Sequence, residues 1–394
     1  MRFSTILSKS VSHFSAHLNF IFARIAVGMK KPERNKYFCM SLLGESYGDN
    51  IKPLSDYLAE NEERAQIVWA FNKHFTGLSS CPHKAVKLYT FSYYYHMLTS
   101  KFILSNARLN QRMMHKRKGQ VYLQTWHGTA LKRLGTDIKR QRSPWEQMYN
   151  PGVFEFDVGN TDIMISGSRF MTNIFREKFQ YKGMIAETGT PRTDIFFHYN
   201  PMIKTKVCQA FGLEEGKQLI LYAPTYRADK QYTFYDIDLK KVKDTWERKT
   251  GRSCDIMVRL HPKLRPNKQA FEQVFGNNIT DASAYSDMQE LLYATDLFVT
   301  DYSSTMFDFM YTGRPVLLYT PDRESYNRGF YFQLQELPFM VINNNNEIEH
   351  QLNAFDANSY ATRIELFKRK IGSVESGNAT EQVIRLLQTY NECN

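Results

Sequence analysis

The sequence predicts an α/β protein built from two doubly wound domains that face each other across a cleft. Short β-rich runs alternate with helical patterns, as they do in parallel βαβ units. The 394 residues suffice for two domains of ordinary size. A polar stretch from Phe197 to Thr205 separates two series of such units and is the expected hinge. In facing α/β domains a ligand is expected at the carboxyl ends of the strands.

The sequence of residues 1–34 predicts an amphipathic, basic helix. It is basic because the first acidic residue is Glu33. Apolar residues recur at helical spacing: Phe3, Ile6, Leu7, Val11, Phe14, Leu18, Ile21, Phe22 and Ile25. Such a helix can lie in the headgroup layer of an anionic membrane. The alternative is a helix that packs on its own domain. No uninterrupted apolar run reaches the roughly 18 residues of a membrane-spanning helix.

Residues 35–198 contain the first series of expected strands, and residues 199–394 contain the second. The first series is Tyr37–Leu42, Gln66–Phe71, Phe102–Ser105, Val121–Thr125, Asp162–Ser166 and Met184–Glu187. The second is Gln218–Ala223, Asp255–Leu260, Asp296–Thr300 and Pro315–Tyr319. Helices are expected between them, including Ile51–Ala59, Arg169–Phe179, Asp287–Ala294 and Ser304–Tyr311. The last helix is a candidate to cross back onto the first domain.

Composition excludes several classes of protein and points to anionic partners. Hydrophobic residues make up 42% and charged residues 23%, which excludes collagen-like, coiled-coil and wholly disordered chains. The net charge of +11 favours phosphorylated substrates, acidic lipid or nucleic acid. Nine Lys and Arg residues between Arg112 and Arg142 are expected at the cleft, but no nucleic-acid-binding motif accompanies them. The five cysteines never form C-x-x-C, which favours a reducing compartment over disulfides or zinc.

The segment Gln124–Lys132, with Trp126-His127-Gly128-Thr129 at its centre, directly follows a predicted strand. A histidine at the carboxyl end of a strand is well placed for proton transfer in a cleft. A histidine held by a backbone carbonyl as structural filler is the alternative.

The segment Arg259-Leu260-His261-Pro262 also ends a predicted strand. In an extended chain Arg259 and His261 point to the same side and can both donate to a diphosphate. A core strand that ends in a proline turn is the alternative.

A third segment, Asp301-Tyr302-Ser303-Ser304-Thr305, joins a buried strand to a helix. Its hydroxyls and the free N–H groups at the start of the helix suit an anion, although ordinary capping needs no ligand. The shorter pieces Gly189–Asp194 and Ala223–Arg227 have the same strand-to-turn character. The sequence lacks G-x-G-x-x-G, the P-loop motif, H-E-x-x-H and G-x-S-x-G. The usual motifs of nicotinamide-dependent enzymes, P-loop proteins, zincins and esterases are therefore missing.

Together, five segments resemble the CDP-glycerol glycerophosphotransferase family of teichoic acid synthesis in order and spacing: Gln124–Lys132, Gly189–Asp194, Ala223–Arg227, Arg259–Pro262 and Asp301–Phe309. The resemblance covers Tyr37 to the end of the chain, and the length is similar to that of the priming members. It implies a GT-B-like architecture with two Rossmann-like domains, a CDP-glycerol donor and an undecaprenyl-diphosphate-linked saccharide or polymer acceptor. It also implies peripheral association with the cytoplasmic face of the membrane and no cofactor or metal; no nucleic-acid partner is expected.

The resemblance also implies roles for individual residues. His127 is the general base for the acceptor hydroxyl, and Arg259 with His261 holds the diphosphate and stabilises its developing charge. The other substrate-binding positions that it implies are Trp126, Gly128, Thr129, Arg192, Thr225, Arg227, Ser303, Ser304 and Asp308. The nearest alternatives are a CDP-ribitol ribitolphosphotransferase and a nucleotide-sugar glycosyltransferase of the same fold. The alternative from another class is a non-catalytic binder of anionic polymers or lipids.

Overall fold

The fold is described from a computed structural model of the chain. The structure describes residues 2–138, 152–227, 235–261, 272, 275–276, 279–324, 326 and 329–393, with side chains from residue 14 to residue 390. Two parallel sheets confirm the predicted α/β class.

The first sheet has seven strands, all parallel, in the order β3-β2-β1-β4-β5-β6-β7. Its strands are β1 (Glu33–Met40), β2 (Gln66–Phe71), β3 (Lys84–Lys87), β4 (Ser100–Ser105), β5 (Val121–Gln124), β6 (Ile163–Ile165) and β7 (Met184–Ala186). The inner strands are buried along most of their length, as expected for a parallel sheet covered on both faces.

The second sheet has six parallel strands in the order β10-β9-β8-β11-β12-β13. Its strands are β8 (Gln218–Tyr222), β9 (Cys254–Val258), β10 (Thr280–Asp281), β11 (Leu297–Thr300), β12 (Val316–Tyr319) and β13 (Met340–Ile342). Both sheets therefore contain the 3-2-1-4-5-6 order of a Rossmann-like fold, which places ligand clefts where the strand order reverses.

Twelve α-helices within the described residues cover the sheets. They are α1 (Arg2–Val27), α2 (Ile51–Asn61), α3 (Phe91–Thr99), α4 (Val153–Asn160), α5 (Arg169–Asn173), α6 (Pro201–Phe211), α7 (Leu239–Thr250), α8 (Met288–Ala294), α9 (Thr305–Phe309), α10 (Ile348–Asn353), α11 (Ala357–Ile371) and α12 (Ala379–Cys393). No helix in this part of the chain has the length and apolarity needed to cross a membrane.

The final helix, α12, packs on the first sheet although it follows the second in sequence. Its residues Val383, Ile384 and Leu387 are fully buried in the same apolar cluster as the first-sheet residues Tyr37 and Phe102. The Asp194 carboxylate accepts the first N–H groups of the helix, so this return is fixed by a buried cap.

Helix α1 packs one face on its own domain and leaves the other face open. Ala23 and Val27 are buried against α3 and the first sheet, whereas Phe22 and Ile25 are 57% and 70% exposed. The helix therefore packs on its own domain through one face, and its association with a membrane stays a prediction.

The expected hinge at Phe197–Thr205 is wrong in its second half. Asn200 caps α6 through a bond of 3.1 Å from the Met202 N–H, and Pro201 occupies the first helical turn. A polar composition concealed this helix, because its buried face consists of little more than Val207 and Cys208.

Candidate active site

A cavity of about 260 Å³ opens between the carboxyl ends of the two sheets. One wall is the segment that follows β5, and the other consists of the loops after β8 and β11. The lining residues are Trp126, His127, Gly128, Thr129, Ala130, Leu131, Lys132, Leu134, Thr225, Tyr302, Ser303 and Ser304. The structure therefore brings the Trp-His-Gly-Thr segment, Thr225 and the two serines to one place.

The turn after β5 has an unusual backbone. Trp126 has a φ of +55°, in the left-handed region that side-chain-bearing residues seldom adopt, and such outliers cluster at functional sites. Gly128 has a φ of +149°, and a Cβ there would lie 2.7 Å from Ser304 Oγ. Glycine therefore lets the two walls approach each other beside His127.

His127 is held in one tautomer. Its Nδ1 lies 2.8 Å from the backbone carbonyl oxygen of Asn106. A carbonyl oxygen can only accept, so Nδ1 donates its hydrogen and the Nε2 lone pair is left as an acceptor. The side chain is open to the cavity, but the cleft walls remove much of its water and lower the pKa of His127, although the Asn106 carbonyl opposes this effect. The imidazole is therefore neutral near pH 7 and able to accept a proton.

The opposite wall carries the hydroxyl groups of Thr225, Ser303 and Ser304, and Asp301 holds the first of them. The Thr225 N–H and hydroxyl both donate to its carboxylate, at 3.0 Å each. The Ser303 hydroxyl lies 2.7 Å from Thr305 Oγ1, and the Ser304 hydroxyl is the group nearest to Gly128. The two serine hydroxyls can donate to phosphoryl oxygens, whereas the hydroxyl hydrogen of Thr225 is already used by Asp301.

Arg192 and Asp308, which the sequence assigned to the donor pocket, form an ion pair with each other beneath the cavity. Arg192 Nε and Nη2 donate to the two Asp308 oxygens at 2.8 and 2.9 Å, and Asp49 lies 3.4 Å from Nη1. Arg192 is 4% exposed and Asp308 is 5% exposed. Burial alone would lower the pKa of Arg192, but Asp308 and Asp49 outweigh it and raise that pKa. The pair joins the two halves of the protein.

Arg227 also lies behind the cavity wall. Its Nε donates to Asp322 at 2.6 Å, and its Nη2 lies 2.9 Å from Asp301. The guanidinium also lies over the Tyr302 ring, 5.1 Å from the centroid. Arg227 thus fixes the carboxylate that holds Thr225.

Arg259 and His261 follow β9, next to β8 in the sheet. The Arg259 N–H donates to the Tyr222 carbonyl at 2.9 Å, and its side chain is half-buried. His261 is exposed, and its ring centroid lies 5.6 Å from that of Tyr226, the neighbour of Thr225. Neither residue is part of the 260 Å³ cavity wall. Their convergence with His127 on one diphosphate stays a prediction.

Sequence reasoning missed the buried Asn50. Its Nδ2 donates to the Trp126 carbonyl at 3.0 Å, and its Oδ1 accepts the Arg192 N–H at 3.0 Å. Asn50 therefore fixes the strained turn relative to the ion pair. It lies in the loop between β1 and α2, and this strand-to-helix position was the signal that could have identified it.

The expectation that the basic stretch Arg112–Arg142 faces the cleft is wrong for Lys116, Arg117 and Lys118. These residues precede β5, so they lie at the amino end of the sheet and line a different cavity beside α1. Residues 139–142 lie outside the described part of the chain. Among the described residues, no group of three or more His, Cys, Asp or Glu side chains is placed to hold a metal ion.

The fold and cavity define a GT-B-like protein whose site lies between two Rossmann-like halves. A family model described as CDP-Glycerol:Poly(glycerophosphate) glycerophosphotransferase matches residues 21–389. The chain belongs to this family and is a glycerophosphotransferase of teichoic acid synthesis. The resemblance seen in the sequence is thereby confirmed.

Known relatives agree in name and fold. The chain is 29% identical to the teichoic acid glycerol-phosphate transferase of Staphylococcus aureus (strain NCTC 8325 / PS 47), over 93% of this chain and 96% of the relative. It is 30% identical to the teichoic acid poly(glycerol phosphate) polymerase of Bacillus subtilis (strain 168), over 87% of this chain and 47% of that protein, so it spans about half of that polymerase. The structure of the wall teichoic acid polymerase TagF superposes with a TM-score of 0.81 and 26% identity, covering 100% of this chain and 99% of the other.

Proposed function

We propose that the chain transfers glycerol phosphate from CDP-glycerol to a hydroxyl of a lipid-linked saccharide or of a growing poly(glycerol phosphate) chain. The acceptor oxygen attacks the phosphorus that bears glycerol, and the bond from that phosphorus to the bridging oxygen breaks. CMP leaves with the bridging oxygen, and His127 Nε2 takes the proton of the acceptor hydroxyl. No metal takes part in this scheme.

The observation that carries the proposal is the state of His127. Its Nδ1–H is committed to the Asn106 carbonyl, so Nε2 is the basic nitrogen. The lowered pKa keeps the ring neutral at physiological pH, as a general base requires. The same cavity presents the Ser303 and Ser304 hydroxyls, which would bind the phosphoryl oxygens.

The cavity is smaller than the roughly 300–1,000 Å³ of typical ligand pockets. It therefore suits the reacting diphosphate and glycerol groups, with the cytidine outside it along the edge of the second sheet. Arg259 and His261 follow the strand beside β8 and would hold the diphosphate from that side. Lys132 lines the cavity and would add positive charge opposite the serines.

The first test is His127→Gln, with His350→Gln on the exposed surface of α10 as the matched control. Loss of the base should lower kcat for CMP release at least 10²-fold. CDP-glycerol binding by calorimetry should stay within about threefold, because the glutamine leaves the serine wall intact. In the unaltered enzyme, kcat/KM should rise with pH through a midpoint below the ordinary imidazole pKa of about 6.5.

Near-normal turnover by His127→Gln would contradict the assigned base. A loss shared by His350→Gln would instead report a general defect in the protein.

The donor and the number of units added require a separate experiment. CDP-glycerol is favoured because the matching family model is described as a glycerophosphotransferase, and two glycerol-phosphate relatives are 28% and 29% identical to the chain. A teichoic acid ribitol-phosphate primase is also similar, at 26% identity, so CDP-ribitol is the second candidate. Each donor, and a nucleotide sugar, should be offered with a synthetic lipid-linked disaccharide, and the product mass measured. We expect turnover of CDP-glycerol and a single added unit; a ladder of masses would identify a polymerase.

We also propose that α1 docks the enzyme on the cytoplasmic face of an anionic membrane. Phe14, Phe22 and Ile25 are more than half exposed on this helix, while Ala23 packs inward. An exposed apolar face on a basic helix suits the membrane interface. The double variant Phe22→Glu with Ile25→Glu should lose co-sedimentation with anionic vesicles and keep activity on a soluble acceptor. Vesicle binding that survives both changes would contradict the docking.

A further inference from the structure

A second cavity, of about 1150 Å³, lies beside α1 at the amino end of the first sheet. Strand β4 connects it to the active site, because Lys101 lines the cavity near the start of this strand and Asn106 holds His127 just beyond its end. Five residues of extended chain span about 17 Å. This cavity is therefore separate from the transfer site, and we call it the α1 cavity.

The α1 cavity is strongly basic. Eight of its 19 lining residues are Lys or Arg, and none of these described residues is Asp or Glu. Two of the eight have protein partners: Lys116 donates to Asp162 at 2.6 Å, and Arg117 donates to the Leu98 and Lys30 carbonyls at 2.8 and 2.6 Å. Arg24, close to Arg117, adds to the positive field and lowers the pKa of Arg117 beyond the larger effect of burial.

Lys101 is one of the cations that line the cavity. Its residue is 6% exposed, and no described residue forms a hydrogen bond or ion pair with its ammonium. Burial, and then the charge of Arg34, lower its pKa; Asp162 opposes them but is itself bonded to Lys116. An ammonium that has lost part of its water and lies near a second cation is stabilised by an anion that binds between them.

The rim of the cavity is apolar on the α1 side. Met29, which lines the cavity, is 99% exposed, and Ile25 lies one turn earlier on the open face of the helix. Cations within the cavity and bare apolar side chains at its rim match a lipid, whose phosphate lies at the interface and whose acyl chains lie below it. A soluble phosphate would gain nothing from the apolar rim.

We propose that the α1 cavity binds the phosphate headgroup of an anionic membrane lipid, with Lys101 and Arg34 as its principal ligands. This inference rests on the membrane docking proposed above and names the lipid chemistry that the docked surface recognises. The bound lipid is not the acceptor of the reaction, because the cavity lies at the opposite end of the sheet from His127.

The experiment compares the full chain with Lys101→Gln and Arg34→Gln, and with Lys240→Gln as a control at an exposed position of the second domain. Co-sedimentation uses vesicles of phosphatidylcholine with and without phosphatidic acid. Each cavity variant should bind the acidic vesicles about fivefold more weakly, which corresponds to about 1 kcal/mol per cation, and the control should stay within twofold. The thermal midpoint of Lys101→Gln without lipid should not fall, because the change removes one cation from a cluster of like charges.

Inorganic pyrophosphate serves as the soluble probe in a thermal shift assay. It should raise the unfolding midpoint of the unaltered protein more than that of Lys101→Gln. Unchanged binding of acidic vesicles by Lys101→Gln would overturn the proposal, and pyrophosphate protection alone would then assign the cavity to a soluble anion. The double variant Phe22→Glu with Ile25→Glu separates the membrane docking of α1 from anion binding in the α1 cavity. It should lose vesicle binding and keep the Lys101-dependent response to pyrophosphate.

Discussion

The ion pair of Arg192 and Asp308 gives the sharpest test of how the cleft is held together. Asp308→Leu leaves the buried guanidinium of Arg192, a residue that is 4% exposed, without its main partner. The remaining carboxylate is that of Asp49, whose Oδ1 lies 3.4 Å from Arg192 Nη1. Removing one partner of a buried pair costs about 3–5 kcal/mol, and the contact with Asp49 places this case near 3 kcal/mol. An arginine cannot lose its proton in the accessible pH range, so the unpaired guanidinium itself adds no pH dependence to this loss.

The reciprocal change, Arg192→Met, should behave differently. It leaves Asp308 with Gln289 as its donor, at 3.1 Å. Burial already raises the pKa of Asp308 against the lowering effect of Arg192, and that pKa rises further once the arginine is gone. Below that pKa the carboxyl is neutral and the loss of stability is small; above it the loss grows by about 1.36 kcal/mol per pH unit.

Urea unfolding at pH 5.5 and 8.5 measures both effects as differences from the unaltered protein, so that other titrating groups largely cancel. The double variant, with Leu and Met in place of the pair, should recover most of the stability. It should also bind CDP-glycerol within about threefold, because neither residue lines the cavity. A flat pH profile for Arg192→Met, or a double variant as unstable as the sum of the single ones, would refute this reasoning. A loss of donor affinity above tenfold in the stable double variant would restore the donor-contact role that the sequence suggested.

Two further predictions concern a glycine and a carboxylate. Gly128→Ala places a Cβ 2.7 Å from Ser304 Oγ at a φ of +149°, so kcat/KM for CMP release should fall at least tenfold. The control is Gly216→Ala, which has open space around the new Cβ and should match the unaltered enzyme. Equal activity of the two variants would contradict the close approach of the walls. Burial raises the pKa of Glu375 from 4.5 to about 7, so the folded chain keeps a proton that the unfolded chain loses. Stability should therefore fall by at most about 3–4 kcal/mol as pH rises through that range. Glu375→Gln should flatten this fall in urea unfolding measured between pH 5 and 8, and an unchanged slope would show that another group causes it.

The strands were predictable where they carry long apolar runs, and least so at the edges of the sheets. The run at Gln66–Phe71 was predicted with its observed bounds. The strand Lys84–Lys87 was missed because lysines occupy both ends, which suits an edge strand but hides the pattern. The helix expected at Arg169–Phe179 is an α-helix only to Asn173 and continues as a π-helical turn at Ile174–Lys178, which apolar spacing does not signal.

At the site, motifs identified the cavity wall but could not identify the partners of its charged residues. Trp126–Thr129, Thr225 and the two serines were found because each follows a strand in a recognisable segment. Arg192 resembled a ligand of the donor in the sequence, yet its carboxylate partner comes from a helix of the other domain. An arginine that binds phosphate and one that binds a buried carboxylate look the same in a sequence, because both need only a planar donor.

The contacts between the two halves argue for a preformed cleft rather than one assembled by a hinge. Besides the buried ion pair, the Arg133 N–H donates to the Gly329 carbonyl, and Lys132 pairs with Phe330 in an antiparallel bridge. A rotation about residues 197–200 would have to break this pairing and also expose the partners of Arg192. Since Lys132 itself lines the cavity, the contact that joins the halves also sets the width of the site. These contacts argue that folding sets the width of the cleft before a ligand binds, the condition under which positioning contributes most to a transfer reaction.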